Sequence, residues 1–273
     1  MQKWTWQYLP TILTCSVISL FAACNNPQAE SQSADRQATL PPCKLSVGWD
    51  PWEPYQYADT DGEIRGLDIE ILELLASDAG CDVHYVRGEW GGLLAQLRDG
   101  SVDVLLAGTV LPEREAYAWF SAPYREETFS VFVRGDDLAE LRDLDIPEMA
   151  AAGKKVGITE GYFYGEVINE LAYASERASA FVPAPFAELN YWRLLDGTTD
   201  ALLDDPFVGA SVIRRKGWEN RIVRHPQVLR SGSVSVMFSK ASVDQAVFNR
   251  VNEALARRKA DGQISAILAR YQG

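Results

Sequence analysis

Histidine is scarce in this chain of 273 residues: the sequence has two, His84 and His225. Neither has cysteine, histidine or carboxylate partners at the spacings typical of a zinc site. The sequence also lacks a Gly-x-Ser-x-Gly elbow, a P-loop and a Gly-x-Gly-x-x-Gly fingerprint after a predicted strand. We therefore predict no metal and no cofactor, and the sequence gives no indication of a hydrolase or a nucleotide-binding protein.

Positive charge is also in short supply. The chain has 26 lysines and arginines against 38 aspartates and glutamates, which gives a net charge of −12. Binding to nucleic acid needs a basic face, so we predict no nucleic-acid partner. With 47% hydrophobic residues, the chain is long enough for two lobes that each bury a core.

The apolar run at residues 11–23 is too short to span a bilayer as a stable helix, and it has the build of a signal-peptide core. It ends in Leu-Phe-Ala-Ala-Cys, which resembles the lipobox of bacterial lipoproteins, although Phe21 stands where an aliphatic residue is usual. We expect residues 1–23 to be a signal peptide and Cys24 to be lipidated. Release as a free secreted protein, with Cys24 incidental, is the alternative. Residues 24–42 are predicted to form a flexible tether.

Two of the four cysteines remain once Cys15 and Cys24 are assigned to these N-terminal segments. Cys43 and Cys81 each come just before an apolar run with the character of a strand. In an oxidising compartment, two cysteines at the starts of neighbouring strands can be bridged. We predict a disulfide between them, with two buried free thiols as the alternative.

Runs typical of strands alternate with helical periodicity along residues 43–271. The first βαβαβ series includes helices at Leu67–Asp78 and 91–99. A second series of the same kind begins at 129–134, with helices from about Phe163 and over 186–195. Apolar runs at 221–229 and 233–239 and helices at 243–260 and Gln263–Tyr271 follow. This order predicts α/β structure, either as two separate domains or as two lobes between which the chain crosses twice.

Several sequence segments occur in an order and spacing that is specific only when they are taken together. They are WDPWEPY (49–55), DGEIRGLDIE (61–70), EWGGLLAQLRDGSVDVLLAG (89–108), PER (112–114), FSAPY (120–124), TDALLDD (199–205) and VNEALARRKADGQISAILARY (251–271). With these segments, the chain from residue 44 onward resembles the type II periplasmic binding proteins, specifically family 3, the amino-acid-binding solute-binding proteins of ABC transporters.

The resemblance implies a two-lobed α/β fold, in which each lobe is a mostly parallel sheet flanked by helices. Lobe 1 would comprise residues 43–130 plus 230–273, and lobe 2 residues 131–229, with a hinge of two crossings between them. It also implies a monomer in the periplasm that closes on a small carboxylate-bearing solute such as an amino acid. The implied partners are this ligand and an ABC transporter permease, with membrane attachment through the lipid alone.

Two opposite charges are the central site residues that the resemblance implies. Arg114 follows a buried strand at the sheet edge where ligands of α/β proteins collect, and its guanidinium can hold a carboxylate with two hydrogen bonds. In the family, the arginine of this motif binds the ligand carboxylate. Asp205 matches the aspartate that pairs with the ligand ammonium, and we prefer it to Asp204. A salt bridge of Arg114 with Glu113 or Glu115 is the alternative.

Aromatic residues complete the implied site. Trp52 and Trp90 match positions that enclose the ligand side chain in relatives, although a place in the core is the alternative for both. Gly108 and Thr109 begin the loop that leads to Arg114 and belong to the predicted ligand-binding set. This loop is one residue shorter than is common in the family and has Leu111 where threonine is usual.

The strongest departure from the family pattern lies in ITEGYFYGE, at residues 158–166. Relatives have a turn there whose hydroxyls and backbone N–H groups bind the ligand carboxylate. Here Tyr162, Phe163 and Tyr164 stand at the hydroxyl positions. We include Tyr162 and Phe163 in the ligand-binding set, and expect the ligand to be larger or differently shaped than a plain amino acid.

We expect a solute receptor and not an enzyme. One alternative is an enzyme similar to cyclohexadienyl dehydratase, which would need Glu160 or Asp204 as a proton donor beside the ligand ring. The other is an interaction module with little ligand affinity, which would dock on a sensor or a periplasmic dehydrogenase.

Overall fold

The computed structural model describes residues 43–271. The predicted signal peptide, the predicted lipidation site Cys24 and the whole predicted tether lie outside the described residues. Within residues 43–271, eleven strands and ten α-helices alternate. None of the described helices is both long and apolar enough to cross a membrane.

The strands are β1 Cys43–Trp49, β2 Tyr57–Ala58, β3 Ile64–Arg65, β4 Cys81–Arg87, β5 Val104–Gly108, β6 Ala118–Phe120, β7 Arg125–Arg134, β8 Val156–Thr159, β9 Phe181–Ala184, β10 Ala201–Asp204 and β11 Ile222–Ser239. The helices are α1 Leu67–Asp78, α2 Trp90–Asp99, α3 Pro112–Glu115, α4 Leu138–Leu141, α5 Ile146–Ala151, α6 Glu166–Tyr173, α7 Ala187–Leu195, α8 Pro206–Lys216, α9 Gln245–Ala260 and α10 Gln263–Tyr271.

Nine of the strands form one sheet in the order β4-β1-β5-β11-β7-β10-β8-β9, with β6 paired to β11. Strands β1, β4 and β5 are parallel and make up the first half of the sheet. Strands β8, β9 and β10 are parallel and make up the second half. Strand β11 runs antiparallel to both β5 and β7. The two parallel halves therefore meet at an antiparallel β7–β11 ladder.

Strand β11 belongs to both halves of the sheet. Its 18 residues pair with β7 from Ile222 to Val234, with two shifts of register, and with β5 and β6 from Ser235 to Ser239. A strand of this length links the two halves through main-chain hydrogen bonds. Strands β7 and β11 are thus the described strands through which the chain passes from one half to the other.

Buried apolar side chains form three clusters. The largest packs α1, α9 and α10 on the first half of the sheet and continues into the second half, with Ile71 and Leu75 completely buried. The next fills the second half around Phe129 and Leu203. The third lies between α2 and the sheet around Leu105. Helices therefore cover both parallel halves, as parallel sheets require.

Most predicted elements are present, and their differences from the prediction have local causes. Helices α1 and α10 have the predicted bounds. The helix expected from about Phe163 begins at Glu166, because Gly165 precedes it with φ of 94°, a conformation that a helix does not continue through. Helix α8 was not predicted. The runs 221–229 and 233–239 form one continuous strand.

The predicted disulfide between Cys43 and Cys81 is confirmed. The two cysteines are register partners at the first residues of the neighbouring parallel strands β1 and β4. Their Cα atoms lie 4.4 Å apart, within the range that a bridge requires. The disulfide joins the two strands at the end of the sheet opposite to their carboxyl ends.

Replacing Cys43 and Cys81 together by alanine should lower the free energy of unfolding by about 3–4 kcal/mol. The bridge spans 38 residues of sequence, and closing a loop of that length restricts the unfolded chain to about this extent. Urea unfolding with and without a reducing agent measures the effect. The double variant serves as its own control, because reduction should change wild-type stability and leave the variant unaffected. Equal free energies of unfolding for the oxidised wild type and the double variant would refute a stabilising role of the disulfide.

Candidate functional site

A cavity of about 30 Å³ lies between the two halves of the sheet. Asp50, Thr109 and Gly161 line it from the loops that follow β1, β5 and β8. The cavity is therefore at the carboxyl ends of the parallel strands, where α/β proteins place their ligand sites. Six of the predicted site residues line it: Trp52, Trp90, Thr109, Arg114, Tyr162 and Phe163.

Arg114 is the cationic group of this cavity. It lies in the short helix α3 and is 6% exposed. Its Nη1 donates to the carbonyl oxygen of Thr109 at 3.2 Å, and its Nη2 donates to that of Gly161 at 2.6 Å. Among the described residues, no carboxylate lies within salt-bridge distance of it. Burial lowers the pKa of Arg114, so the charge is held without an anionic partner.

Trp90 and Trp52 form opposite walls. Trp90 begins α2, its Nε1 donates to the carbonyl oxygen of Gly161 at 3.0 Å, and its ring lies 5.7 Å from the guanidinium carbon of Arg114. Trp52 lies in the loop between β1 and β2 and packs on Tyr55 with ring centroids 4.7 Å apart. Its indole Nε1 is buried and has no acceptor within hydrogen-bonding geometry in the described part of the chain. Both tryptophans line the cavity and also belong to buried core clusters, so their role as ligand walls stays a prediction.

Tyr162 stands between the two tryptophans. Its ring centroid is 6.3 Å from that of Trp52 and 6.3 Å from that of Trp90, with interplanar angles of 80° and 89°. Phe129 and Tyr164 contact the same ring from the second half of the sheet. Edge-to-face contacts of this kind are favourable for aromatic pairs. Tyr162 therefore belongs to an aromatic cluster drawn from both halves.

Gly108 and Asp205 do not line the cavity. A side chain at Gly108 would collide with Met237, so glycine is required there by packing within the first half. Asp205 lines a separate depression, together with Tyr55 and Arg125. The structure thus brings Arg114 together with the predicted aromatic residues and places Asp205 outside this group.

The carboxylate of Asp205 is occupied by partners of its own chain. It caps α8 by accepting from the backbone N–H groups of Phe207 at 2.8 Å and Val208 at 3.2 Å. The hydroxyl of Tyr55 donates to it at 3.0 Å. Burial raises its pKa. These contacts make Asp205 a helix cap that also joins the two halves of the sheet.

Three polar residues of the cavity were not predicted: Asp50, Gln56 and Glu127. Asp50 directly follows β1, and the edge rule that led to Arg114 could have found it. Gln56 lies in the loop of Trp52. Glu127 is 6% exposed within β7, and a single sequence gives no signal for an acid buried in a strand.

Two of these residues are acids whose carboxyl groups titrate near neutral pH. Burial raises the pKa of Glu127 to about 7, against the opposing effect of Arg125. The hydroxyl of Ser231, from β11, donates to Glu127 Oε2 at 3.1 Å. Burial also raises the pKa of Asp50 to about 7, although part of this residue is accessible from the cavity. The cavity thus faces Arg114 with acids that are easily protonated.

Arg125 and Asp68 form a buried ion pair beside the site. Two hydrogen bonds of 2.9 and 3.1 Å join them, and the guanidinium lies 4.2 Å from the ring centroid of Tyr55. This arginine has both an anionic partner and aromatic contacts. It therefore serves the structure, in contrast to Arg114.

Within residues 43–271, no group of three or more histidines, cysteines and carboxylates is placed to hold a metal ion. His225 is 2% exposed, and its ring nitrogens contact the carbonyl oxygen of Leu141 and the backbone N–H of Gln227. These contacts give the histidine a structural role.

The chain belongs to the bacterial extracellular solute-binding proteins of family 3, since the sequence profile of that family matches residues 45–273. It is 24% identical to the L-cystine-binding protein of Escherichia coli, over 81% of this chain and 79% of the relative. It is 23% identical to a probable histidine-binding protein of Neisseria gonorrhoeae, over 99% and 96% of the two chains. A more distant relative, at 22% over 74% and 72%, is cyclohexadienyl dehydratase of Pseudomonas aeruginosa.

Solved structures show the same fold. A histidine kinase sensor domain with similarity to periplasmic binding proteins superposes with a TM-score of 0.70. It shares 23% sequence identity, and the match covers 84% of this chain and 96% of the sensor domain. The predicted family and the predicted periplasmic-binding-protein-like α/β fold are confirmed.

The ligand-free protein should be more stable at pH 5 than at pH 8, in part because of Glu127. An acid whose pKa is raised on folding binds more protons in the folded state, so stability is greatest below its unfolded pKa and falls as pH rises through about 7. Glu127→Gln should reduce this fall by about 2 kcal/mol. Urea unfolding at several pH values measures it, with Glu126→Gln at the neighbouring exposed position as control. An unchanged pH profile in Glu127→Gln would contradict the assignment.

Proposed function

We propose that the chain is a receptor for an amino acid or a related small carboxylate, and that it delivers this solute to an ABC importer. The observation that supports the proposal best is the buried guanidinium of Arg114, which faces the cavity without an anionic partner in the described residues. Burying an unpaired charge is costly, whereas a bound carboxylate would compensate it with two hydrogen bonds. Membership of an extracellular solute-binding family agrees with this role.

The ligand would be enclosed by hinge closure. In the proposed organisation, lobe 1 comprises residues 43–130 plus 230–273 and lobe 2 comprises residues 131–229. Strands β7 and β11 connect the two halves of the sheet and would act as the crossings. The cavity lies between these halves, so their separation would admit a ligand and their approach would enclose it.

The proposed location is the periplasm, with attachment through a lipid on Cys24 after removal of residues 1–23. The N-terminal sequence supports this, as does the extracellular character of the family. The permease and the small solute are the proposed partners of a monomeric receptor.

Asp50 and Glu127 are the acids that would face the ligand ammonium. Both line the cavity with Arg114. Asp205 remains the residue that the family motif predicts for this role, but its carboxylate already has three donors and faces a different depression.

The same surroundings favour a receptor over an enzyme. Of the two candidate proton donors, Asp204 does not line the cavity, and it accepts hydrogen bonds from the hydroxyl of Tyr191 at 2.8 Å and the backbone N–H of Asp205 at 2.8 Å. Glu160 is exposed. General acid catalysis needs a donor within reach of the bound ligand, and neither residue lines the cavity. We propose no catalytic residue.

Arg114→Met should weaken ligand binding by about 2–5 kcal/mol, or thirtyfold and more, because it removes one partner of a desolvated ion pair. Isothermal titration of ligand-stripped protein with the twenty amino acids and small organic acids measures it. Arg98→Met, an exposed arginine on the neighbouring helix α2, is the matched control and should bind as wild type. Wild-type affinity in Arg114→Met would refute the carboxylate role.

Asp50→Asn and Glu127→Gln should each weaken binding of an amino acid by about 2–5 kcal/mol, because each removes charge that faces the ammonium. Neither substitution should weaken the binding of an analogue of the same amino acid that lacks the amino group. Asp205→Ala should instead lower the free energy of unfolding by about 1–2 kcal/mol through loss of the helix cap. Titration and urea unfolding separate the two effects. If Asp205→Ala alone abolishes binding of the amino acid, Asp205 is the ammonium partner.

A further inference from the structure

The carbonyl oxygen of Gly161 is hydrogen-bonded to Arg114, the guanidinium that the proposed function assigns to a ligand carboxylate. It accepts from Arg114 Nη2 at 2.6 Å and from Trp90 Nε1 at 3.0 Å. Both donors belong to the first half of the sheet, whereas Gly161 follows β8 of the second half. One main-chain oxygen of the second half therefore accepts hydrogen bonds from two side chains of the first half.

Glycine is required for this contact. Gly161 has φ of 77°, a left-handed conformation that side chains disfavour. A Cβ atom there would lie 3.1 Å from Trp90 Cδ1 and 3.2 Å from Leu94 Cδ1. The loop can bring its carbonyl group to Arg114 and Trp90 because residue 161 has no side chain.

The adjacent phenol fills the aromatic part of the site. Tyr162 places its ring edge to face against both Trp52 and Trp90. It packs on the core cluster of the second half and on that around α2, so it joins apolar surfaces that would otherwise face the cavity. Burial raises the pKa of its hydroxyl well above the usual value, and the negative charge of Asp50 adds to this effect.

The cavity that remains between the two halves is narrow, at about 30 Å³. The two halves are in contact across it through Gly161 and Tyr162.

We propose that Gly161 and Tyr162 are a built-in occupant of the binding site, which keeps the protein closed without ligand and which a soluble ligand must displace. Displacement by a ligand rests on the proposed receptor function, whereas occupancy of the site by Gly161 and Tyr162 does not. If the occupied state dominates, the apparent affinity for a ligand is reduced by the fraction of molecules whose site is open. Tyr162 then determines both affinity and selectivity, because only ligands that compete with its contacts can bind.

The indole N–H of Trp90 reports the occupied state. In uniformly ¹⁵N-labelled, ligand-stripped protein of full length, this resonance is assigned by its loss in Trp90→Phe. Wild type should show slow exchange of this proton with water, since it is bonded to Gly161. Tyr162→Ala should increase the exchange rate by about tenfold or more, because local opening controls exchange. Tyr162→Phe, which keeps the ring, should behave as wild type.

Tyr173→Ala is the matched control, because Tyr173 is 55% exposed on α6 of the same half. It should leave the exchange rate unchanged. Rapid exchange in ligand-free wild type, or equal protection in wild type and Tyr162→Ala, would overturn the proposal. Thermal unfolding of each variant verifies that the comparison is between folded proteins.

Titration with the twenty amino acids tests displacement. Tyr162→Ala should bind the amino acid that wild type binds about tenfold more tightly, because no occupant competes. Equal or weaker binding would overturn displacement. If neither protein binds any amino acid or small organic acid, the proposed receptor function fails, and the indole exchange still decides whether the site is self-occupied.

Discussion

The site depends on a guanidinium that is buried without a carboxylate. Arg114 is held at the carboxyl ends of the parallel strands, where two main-chain carbonyl groups and the face of Trp90 are its neighbours. Carbonyl dipoles compensate a desolvated cation only in part, so burial still lowers its pKa. Arg125, which lies close by, shows the alternative: its charge is matched by Asp68 in a two-bonded pair. Two arginines of one region thus differ in their surroundings: among the described residues, Arg125 has a carboxylate within salt-bridge distance and Arg114 has none.

How far the sequence predicts the fold depends on how local the determinants are. Helix α1 has its predicted bounds because its apolar residues recur along one face and Gly66 precedes it with a positive φ. The disulfide was predictable because the strand starts could be recognised. Asp205 and Pro206 are a usual cap and first residue and could have predicted helix α8, but the resemblance to the family favours a ligand contact for Asp205. Strand β11 continues through residues 230–232, the short polar stretch that separates the two predicted runs.

The site residues, too, can be predicted only as far as their placement depends on local sequence. Arg114 could be placed at the cavity because it follows a buried strand at the sheet edge, and the tryptophans through the resemblance to the family. Position on the same edge does not decide which of several carboxylates faces the cavity: Asp50 does, and Asp205 caps a helix and accepts from Tyr55. Tyr162 was recognised as unusual, but its place between Trp52 and Trp90 depends on the approach of two halves that are far apart in sequence.

The proposed occupant is neutral, which suits a cavity lined by ionisable groups. Burial raises the pKa of the Asp50 and Glu127 carboxyl groups to about 7. Enclosing these groups in the cavity therefore costs little free energy when they are protonated. A phenol and a carbonyl group add no charge that would need compensation. An amino acid would instead bring a carboxylate to Arg114 and an ammonium to the acids, which would favour their ionised forms. Exchange of the neutral occupant for a zwitterion would therefore convert a closed state held by aromatic packing into one held by opposite charges.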